Sequence, residues 1–310
     1  MTAHTISRIT TLALLTAAAT GVNAQSQLFR ADPALLAVMA TPESSIVLDL
    51  HDESWLQTQP ESKPSAPDAD AHKEENTGQD PTKPLKRLDV RLKYQDLPGG
   101  SSAVVPTLRL DIPFPVGDKG WKIGTRFDLP FVISDVPSSD NPGGDWHGGV
   151  GDSLAQVLLI TPPQGRWQFG FGTQAIFPTG SEDQMGTGKW QLAPMVAGIY
   201  ALPEISKGSF TGLLVKDQFS IAGDEDRNHV NELVLTPLLN INLPNRWFLT
   251  FAPEIKFNLK DDGAAFVPFD ILIGKLISPK TVVSVELKAP LLDDYKQYDF
   301  EVEFRIGFFF

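Results

Sequence analysis

Few residues of this 310-residue chain have the types and spacing that chemistry needs. Gly186-Thr187-Gly188-Lys189 resembles a phosphate loop only in part. Trp190 stands where Ser or Thr would hold magnesium, and no glycine leads at the required distance. The segment reads instead as a hairpin loop entering a strand. Asp145-Trp146-His147 sets a carboxylate two residues from an imidazole, but in a glycine-rich loop (NPGGDWHGG) that holds a geometry loosely. His229 has Asn231, not a serine, two residues on. Hydrolysis needs nucleophile, base and orienting group to converge, and the sequence shows no such set. Asp224/Glu225/Asp226, Asp261/Asp262 and Asp293/Asp294 lack the spacing of a calcium loop and read as solvated loop tips. With no cysteine there is no thiol nucleophile, disulfide or thiolate metal site. The expectation is no catalytic residue, no enzymatic activity, no metal and no cofactor.

The other chemistry-bearing residues share one phase of a period-two pattern. They are Arg91, Lys93, Arg109, Lys122, Arg126, Asp128, Lys189, Gln191, Lys216, Gln218, Glu232, Glu254, Lys256, Glu286, Lys288, Glu301, Glu303 and Arg305. The opposite phase is apolar. At the C-terminal end Tyr298, Phe300, Val302, Phe304, Ile306, Phe308 and Phe310 alternate with Asp299, Glu301, Glu303, Arg305 and Gly307. Leu88, Val90, Leu92 and Tyr94 alternate likewise with Asp89, Arg91 and Lys93. Facing lipid, each Lys or Arg would cost about 2–4 kcal/mol at the bilayer midplane, so the charged phase must face a lumen. A ring of one sign would select ions. Here the signs are mixed, which predicts ion-pair networks that narrow the bore.

Strands must position these residues. Period-two segments fall near 87–96, 104–115, 121–132, 152–162, 166–177, 189–202, 209–221, 230–243, 246–259, 265–275, 281–290 and 298–310. Each reaches the roughly 9–11 residues of a tilted membrane strand. An all-β fold follows: a transmembrane antiparallel up-and-down β-barrel of about 12 strands. Connections alternate between long or acidic ones, such as 134–151 and 179–188, and tight ones such as 163–165 and 244–245. Trp121, Trp167 and Trp247 follow tight turns and predict an aromatic girdle at the inner interface. Trp190, with Phe131, Phe177, Phe219, Phe266 and Tyr295, marks the outer rim. Pro106, Pro113, Pro130, Pro194, Pro237, Pro253 and Pro268 fall within these strands and require ends or bulges there. Alternation is poor near 152–162 and 209–221, where Asp217 shares a phase with Leu213 and Phe219.

The preceding residues differ in kind. Residues 1–24 read as a signal peptide: Arg8, an apolar run from Ile9 to Val22, and a small-x-small site at Val22-Asn23-Ala24. Residues 25–85 read as a Pro-rich, acidic, mostly disordered periplasmic extension, too poor in apolar surface to offset its ordering entropy. Within it, 28–55 could form a short helix or a plug. The barrel occupies 86–310. The net charge of -12 argues against a nucleic-acid partner.

One block is distinctive: Phe177-Pro178-Thr179-Gly180, then Gly186-Thr187-Gly188-Lys189-Trp190-Gln191-Leu192-Ala193-Pro194. With Asp217-Gln218-Phe219-Ser220-Ile221-Ala222-Gly223 and the aromatic end, it resembles the outer-membrane family associated with meta-pathway phenol degradation. The likeness runs over roughly 86–310. It implies a bacterial outer-membrane barrel that passes small organic, including aromatic, compounds, and it assigns no catalytic residue. A terminal strand ending on Phe310 resembles the signal read by the barrel-assembly machinery. The expected surroundings are outer-membrane lipid and lipopolysaccharide. The alternative is a structural or binding barrel with a closed lumen; a barrel hydrolase is a third reading.

Overall fold

This computed structural model describes residues 76–310. The signal peptide over 1–24 and the helix or plug over 28–55 lie outside the described residues.

Alternating apolar residues with β-branched and aromatic enrichment form fourteen strand segments. They are β1 (Arg87–Leu97), β2 (Ser101–Val116), β3 (Trp121–Ser134), β4 (His147–Val150), β5 (Ser153–Ile160), β6 (Trp167–Phe177), β7 (Lys189–Ala201), β8 (Phe210–Gly223), β9 (Asn231–Asn242), β10 (Trp247–Phe251), β11 (Ile255–Asn258), β12 (Ala264–Ser278), β13 (Thr281–Asp293) and β14 (Phe300–Phe309). β4 and β5 both pair with β3 and form one interrupted strand. β10 and β11 likewise share β9 and β12. Twelve strands result, all antiparallel. The ring closes where β1 meets β14, with Arg87 opposite Phe309 and Asp96 opposite Phe300. Closure leaves no edge and satisfies the ladder internally, as a bilayer demands.

The apolar phase faces outward. Leu88, Val90, Leu92, Phe127, Phe171, Val196, Ile273, Phe304 and Ile306 are all exposed there. On a water-soluble protein so large an apolar surface would aggregate; around a closed ladder it is the lipid-facing belt of an outer-membrane barrel. The core therefore sits inside the ring. Near the short-turn end, Phe248, Leu272, Leu276 and Val282 pack together, as do Leu158, Ile160 and Met195.

Several boundaries differ from the sequence reading. The connection over 134–151 contains β4, which doubles back on β3 and places His147 opposite Ser134. Pro253 lies in the break between β10 and β11, and a register shift occurs at Val267/Pro268; both spare the ladder a missing donor. Pro106, Pro113, Pro194 and Pro237 stay inside continuous strands. The 209–221 strand keeps its register against β9, but against β7 it shifts at Ile221, where Trp190 faces Ala222 and Gln191 faces Ser220. Asp217 lies exposed on its outward face.

Candidate functional site: the barrel lumen

The charged residues of the polar phase meet inside the barrel along the arc β13–β14–β1–β2–β3. Arg109 grips Asp128 through two bonds, Nε to Oδ1 at 2.8 Å and Nη2 to Oδ2 at 2.6 Å. Across the same pair of strands Arg126 Nε reaches Asp111 Oδ1 at 2.8 Å. Asp111 also accepts from Arg87 at 2.5 and 3.1 Å. Arg91 pairs with Glu303 at 3.0 Å and lies 3.8 Å from Asp89. Lys288 gathers three carboxylates: Glu301 at 3.1 Å, Glu286 at 3.5 Å and Asp270 at 3.8 Å. Lys93 adds a longer contact to Glu301, at 3.9 Å. Removed from water, such groups persist only because each charge meets another.

The opposite arc is neutral and more apolar. Lys216 and Glu254 stand 3.9 Å apart, and Lys256 and Glu232 likewise. Gln191 accepts from Gln218 at 2.7 Å and donates to Thr187 at 2.8 Å. Lys189 points inward but is 1% exposed. Its Nζ donates to the Asp224 carbonyl, tying two outer loops together rather than lining an open bore. Lys122 is exposed at the inner mouth.

Sequence reasoning missed Arg87, Asp89, Asp111 and Asp270, all buried and all in this network. Asp89 and Asp111 do alternate with apolar neighbours, so the signal was present. Asp270 had none, because the inward face of β12 also carries Phe266, Leu272 and Leu276. For the same reason Phe266 is no rim residue: it is buried inside, edge-on to Tyr298 at 5.0 Å. Tyr295 also turns inward and donates to Glu232 Oε1 at 2.6 Å. Trp121, Trp167 and Trp247 begin β3, β6 and β10 just after short turns. Trp247 is covered by Lys275, whose Nζ stands 4.9 Å from the ring centroid. At the other end Trp190 meets Phe177 edge-on at 5.5 Å. Phe310 is exposed, and its N–H donates to the Lys86 carbonyl at 3.2 Å.

Residues 76–85, assigned by composition to the extension, cross the inner mouth. Thr77, Asp80 and Thr82 are buried there. Asp80 Oδ1 accepts from the Thr82 N–H and hydroxyl at 2.8 and 2.6 Å, which makes a self-bonded turn. Arg87 Nη1 donates to the Gly78 carbonyl at 2.8 Å. Above this segment lies a cavity of about 230 Å³. Arg91, Arg109 and Arg126 wall it on one arc, and Leu158, Leu214 and Leu238 on the other.

The outer loops hold one another. Asp152 accepts from the Gly180 N–H at 3.1 Å and from the Thr187 N–H and hydroxyl at 2.6 and 2.8 Å. Arg227 pairs with Asp183 at 2.8 Å. The two histidines weighed for chemistry serve this layer. His147 Nδ1 lies 3.2 Å from Glu182. His229 Nδ1 lies 3.5 Å from the Ser220 hydroxyl, which itself donates to the Val230 carbonyl at 3.2 Å and accepts from its N–H at 2.8 Å.

A family model described as "Putative MetA-pathway of phenol degradation" matches residues 99–252. No curated protein matches the chain. Among solved structures, the KdgM porin is similar at 8% identity and a TM-score of 0.46, over 72% of this chain and 99% of that one. The β domain of the Bordetella autotransporter BrkA aligns at 10% identity and a TM-score of 0.41, over 73% and 99% of the two chains. Outer membrane phospholipase A from Escherichia coli aligns at 11% and 0.44, over 75% and 95%.

Proposed function

We propose that this chain, whose residues 99–252 match the family model described as "Putative MetA-pathway of phenol degradation", passes small organic compounds, aromatic ones included, across the outer membrane. The observation that carries this reading is the lumen cavity. It offers polar groups along Arg91, Arg109 and Arg126 and an apolar wall of Leu158, Leu214 and Leu238 across from them. Ligand sites commonly combine apolar walls with a few placed polar groups. A purely ionic bore would not favour an aromatic solute over water, and a purely apolar one would not stay wet.

The experiment is flux. The purified barrel in lipid vesicles should admit phenolic compounds faster than protein-free vesicles do. Its single-channel conductance should be small, as mixed-sign ion pairs fill much of a bore between the filled 8-strand and the open 16-strand cases. A deletion strain should take up phenolics more slowly. No conductance together with unchanged uptake would overturn the reading.

A closed structural or binding barrel is the second reading, favoured by the segment over 76–86 across the inner mouth. Removing residues 25–85 separates the two. If only the shortened barrel conducts, the extension closes the bore in the full chain. Hydrolysis finds its nearest pair in Ser220 and His229, but that hydroxyl is already engaged at both ends by the Val230 backbone.

A further inference from the structure

Among the described residues, one buried cation that lines the lumen cavity has no carboxylate within 4 Å. Asp89, Asp111, Asp128 and Glu303 stand against Arg87, Arg91, Arg109 and Arg126, and each of these arginines has a carboxylate within 4 Å. Two further acids lining the cavity also have their own partners: Asp80 has Lys83 at 4.0 Å, and Glu254 has Lys216. Arg305 of β14 is different. Among the described residues it forms no ion pair. It lines the cavity and is 5% exposed, and its Nε has no hydrogen-bond partner. The nearby Asp89 lies 3.2 Å from Arg87 and 3.8 Å from Arg91, although neither of its oxygens accepts a hydrogen bond. Instead, both terminal nitrogens of Arg305 rest on the neutral side-chain oxygen of Gln79, at 3.1 and 3.0 Å with that amide turned to accept.

A guanidinium fork suits a carboxylate, which takes two parallel charge-assisted bonds about twice as strong as neutral ones. Gln79 presents one oxygen in the same place without the charge. Across the lumen Leu158, Leu214 and Leu238 line the cavity beside Gln156, Gln174, Thr236 and the Lys216–Glu254 pair. The volume of about 230 Å³ exceeds the roughly 150 Å³ that accommodates benzene in an apolar cavity.

We infer that this cavity binds a small aromatic carboxylate, its carboxylate on Arg305 in place of the Gln79 amide and its ring against the leucine wall. The inference rests on the reading of the lumen as a passage and names the charge class that the passage prefers. Displacing Gln79 also removes one of the contacts that hold the segment across the inner mouth, so ligand and Gln79 compete for one guanidinium.

The test is calorimetric binding to the full chain in detergent at neutral pH, where benzoate is charged and phenol neutral. Benzoate should bind about 10-fold or more tighter than phenol or benzylamine, the scale of one charged hydrogen-bonded contact. Arg305→Gln should erase that preference, and Arg305→Lys should restore part of it. Gln79→Glu supplies a tethered carboxylate and should weaken benzoate by about 10-fold or more. Heat-modifiable gel mobility checks that each variant has folded. Equal binding of benzoate and phenol would overturn the inference, as would an undiminished preference in Arg305→Gln. If that variant does not fold, unchanged benzoate binding by Gln79→Glu overturns it. Vesicle flux keeps the two claims apart: binding without flux of either compound overturns passage alone, and flux without the preference overturns the anion site alone.

Discussion

Pro84 fills the notch that Gly124 leaves in the lumen wall: a Cβ on Gly124 would stand 3.3 Å from Pro84 Cγ. Gly124 is on the inward phase of β3, opposite Pro113 of β2. Its missing side chain lets the segment before β1 lie inside the barrel. The same segment bonds itself through Asp80 and Thr82 and meets Arg87 through Gly78. Residues 76–86 are thus part of the barrel mouth.

A larger residue at Gly124 should expel that segment. Gly124→Leu overpacks the notch at a cost of typically 1–3 kcal/mol. The chain has no cysteine, so Thr82→Cys gives a single reporter at a position with no exposure. With Gly124 intact the thiol should react slowly with a water-soluble reagent; with Gly124→Leu it should react quickly. Equal rates would mean that Pro84 does not hold the segment in place.

Asp111 bridges two arginines of the β1–β3 arc, bonded to Arg87 and Arg126. Asp111→Asn leaves two buried cations facing a neutral amide. It should cost about 3–5 kcal/mol of barrel stability, measured by urea unfolding in lipid. The exposed pair Arg166–Glu204, at 2.9 Å, is the control. Glu204→Gln should cost no more than about 1 kcal/mol.

In the outer loops, Asp152 holds the backbone of 180–187 through the Gly180 and Thr187 amides. Asp152→Ala removes both acceptors. Hydrogen exchange at Thr187 should accelerate while amides of the β6–β7 ladder stay protected. If the loop amide exchanges no faster, Arg227 alone suffices to hold the loop.

Tyr295 lies in the connection after β13. Burial, with its bond to Glu232, pushes its phenol up to about 12. A raised folded value means that the fold binds the phenolic proton more tightly than the unfolded chain does. The stabilisation is complete below pH of about 10 and is lost as pH rises from about 10 through about 12. A spectroscopic tyrosinate titration should show this late step, and Tyr295→Phe should remove it. Glu232→Gln should draw it back toward the ordinary range. Tyr298 is also pushed up by burial, which is why the Glu232 variant is needed for assignment.

The barrel was legible in the sequence wherever the two faces differed in polarity. Along β1 and β14 apolar and charged residues alternate without a break, so strand and phase follow from period two. Legibility failed where both faces are apolar. β12 buries Phe266 and Leu272 inside and shows Phe269 and Ile273 outside, so nothing in its pattern marked Asp270 as a lumen residue. The ten residues before Lys86 failed differently. Their Pro, Gly, Asp and Lys content reads as unstructured because composition counts only what a segment can bury by itself.

By itself the sequence determined that this chain makes a closed ladder of about twelve strands, with charge inside and aromatic residues toward lipid. Residue type and a period of two are local properties, and a bilayer leaves a strand-forming chain no other spanning solution. Only the tertiary structure decided who meets whom. Arg305 meets Gln79, residues that stand far apart in the sequence, and Pro84 meets Gly124. Those contacts depend on the ring closing with a particular register and on the chain before β1 turning inward. Neither is encoded in the alternation of any single strand.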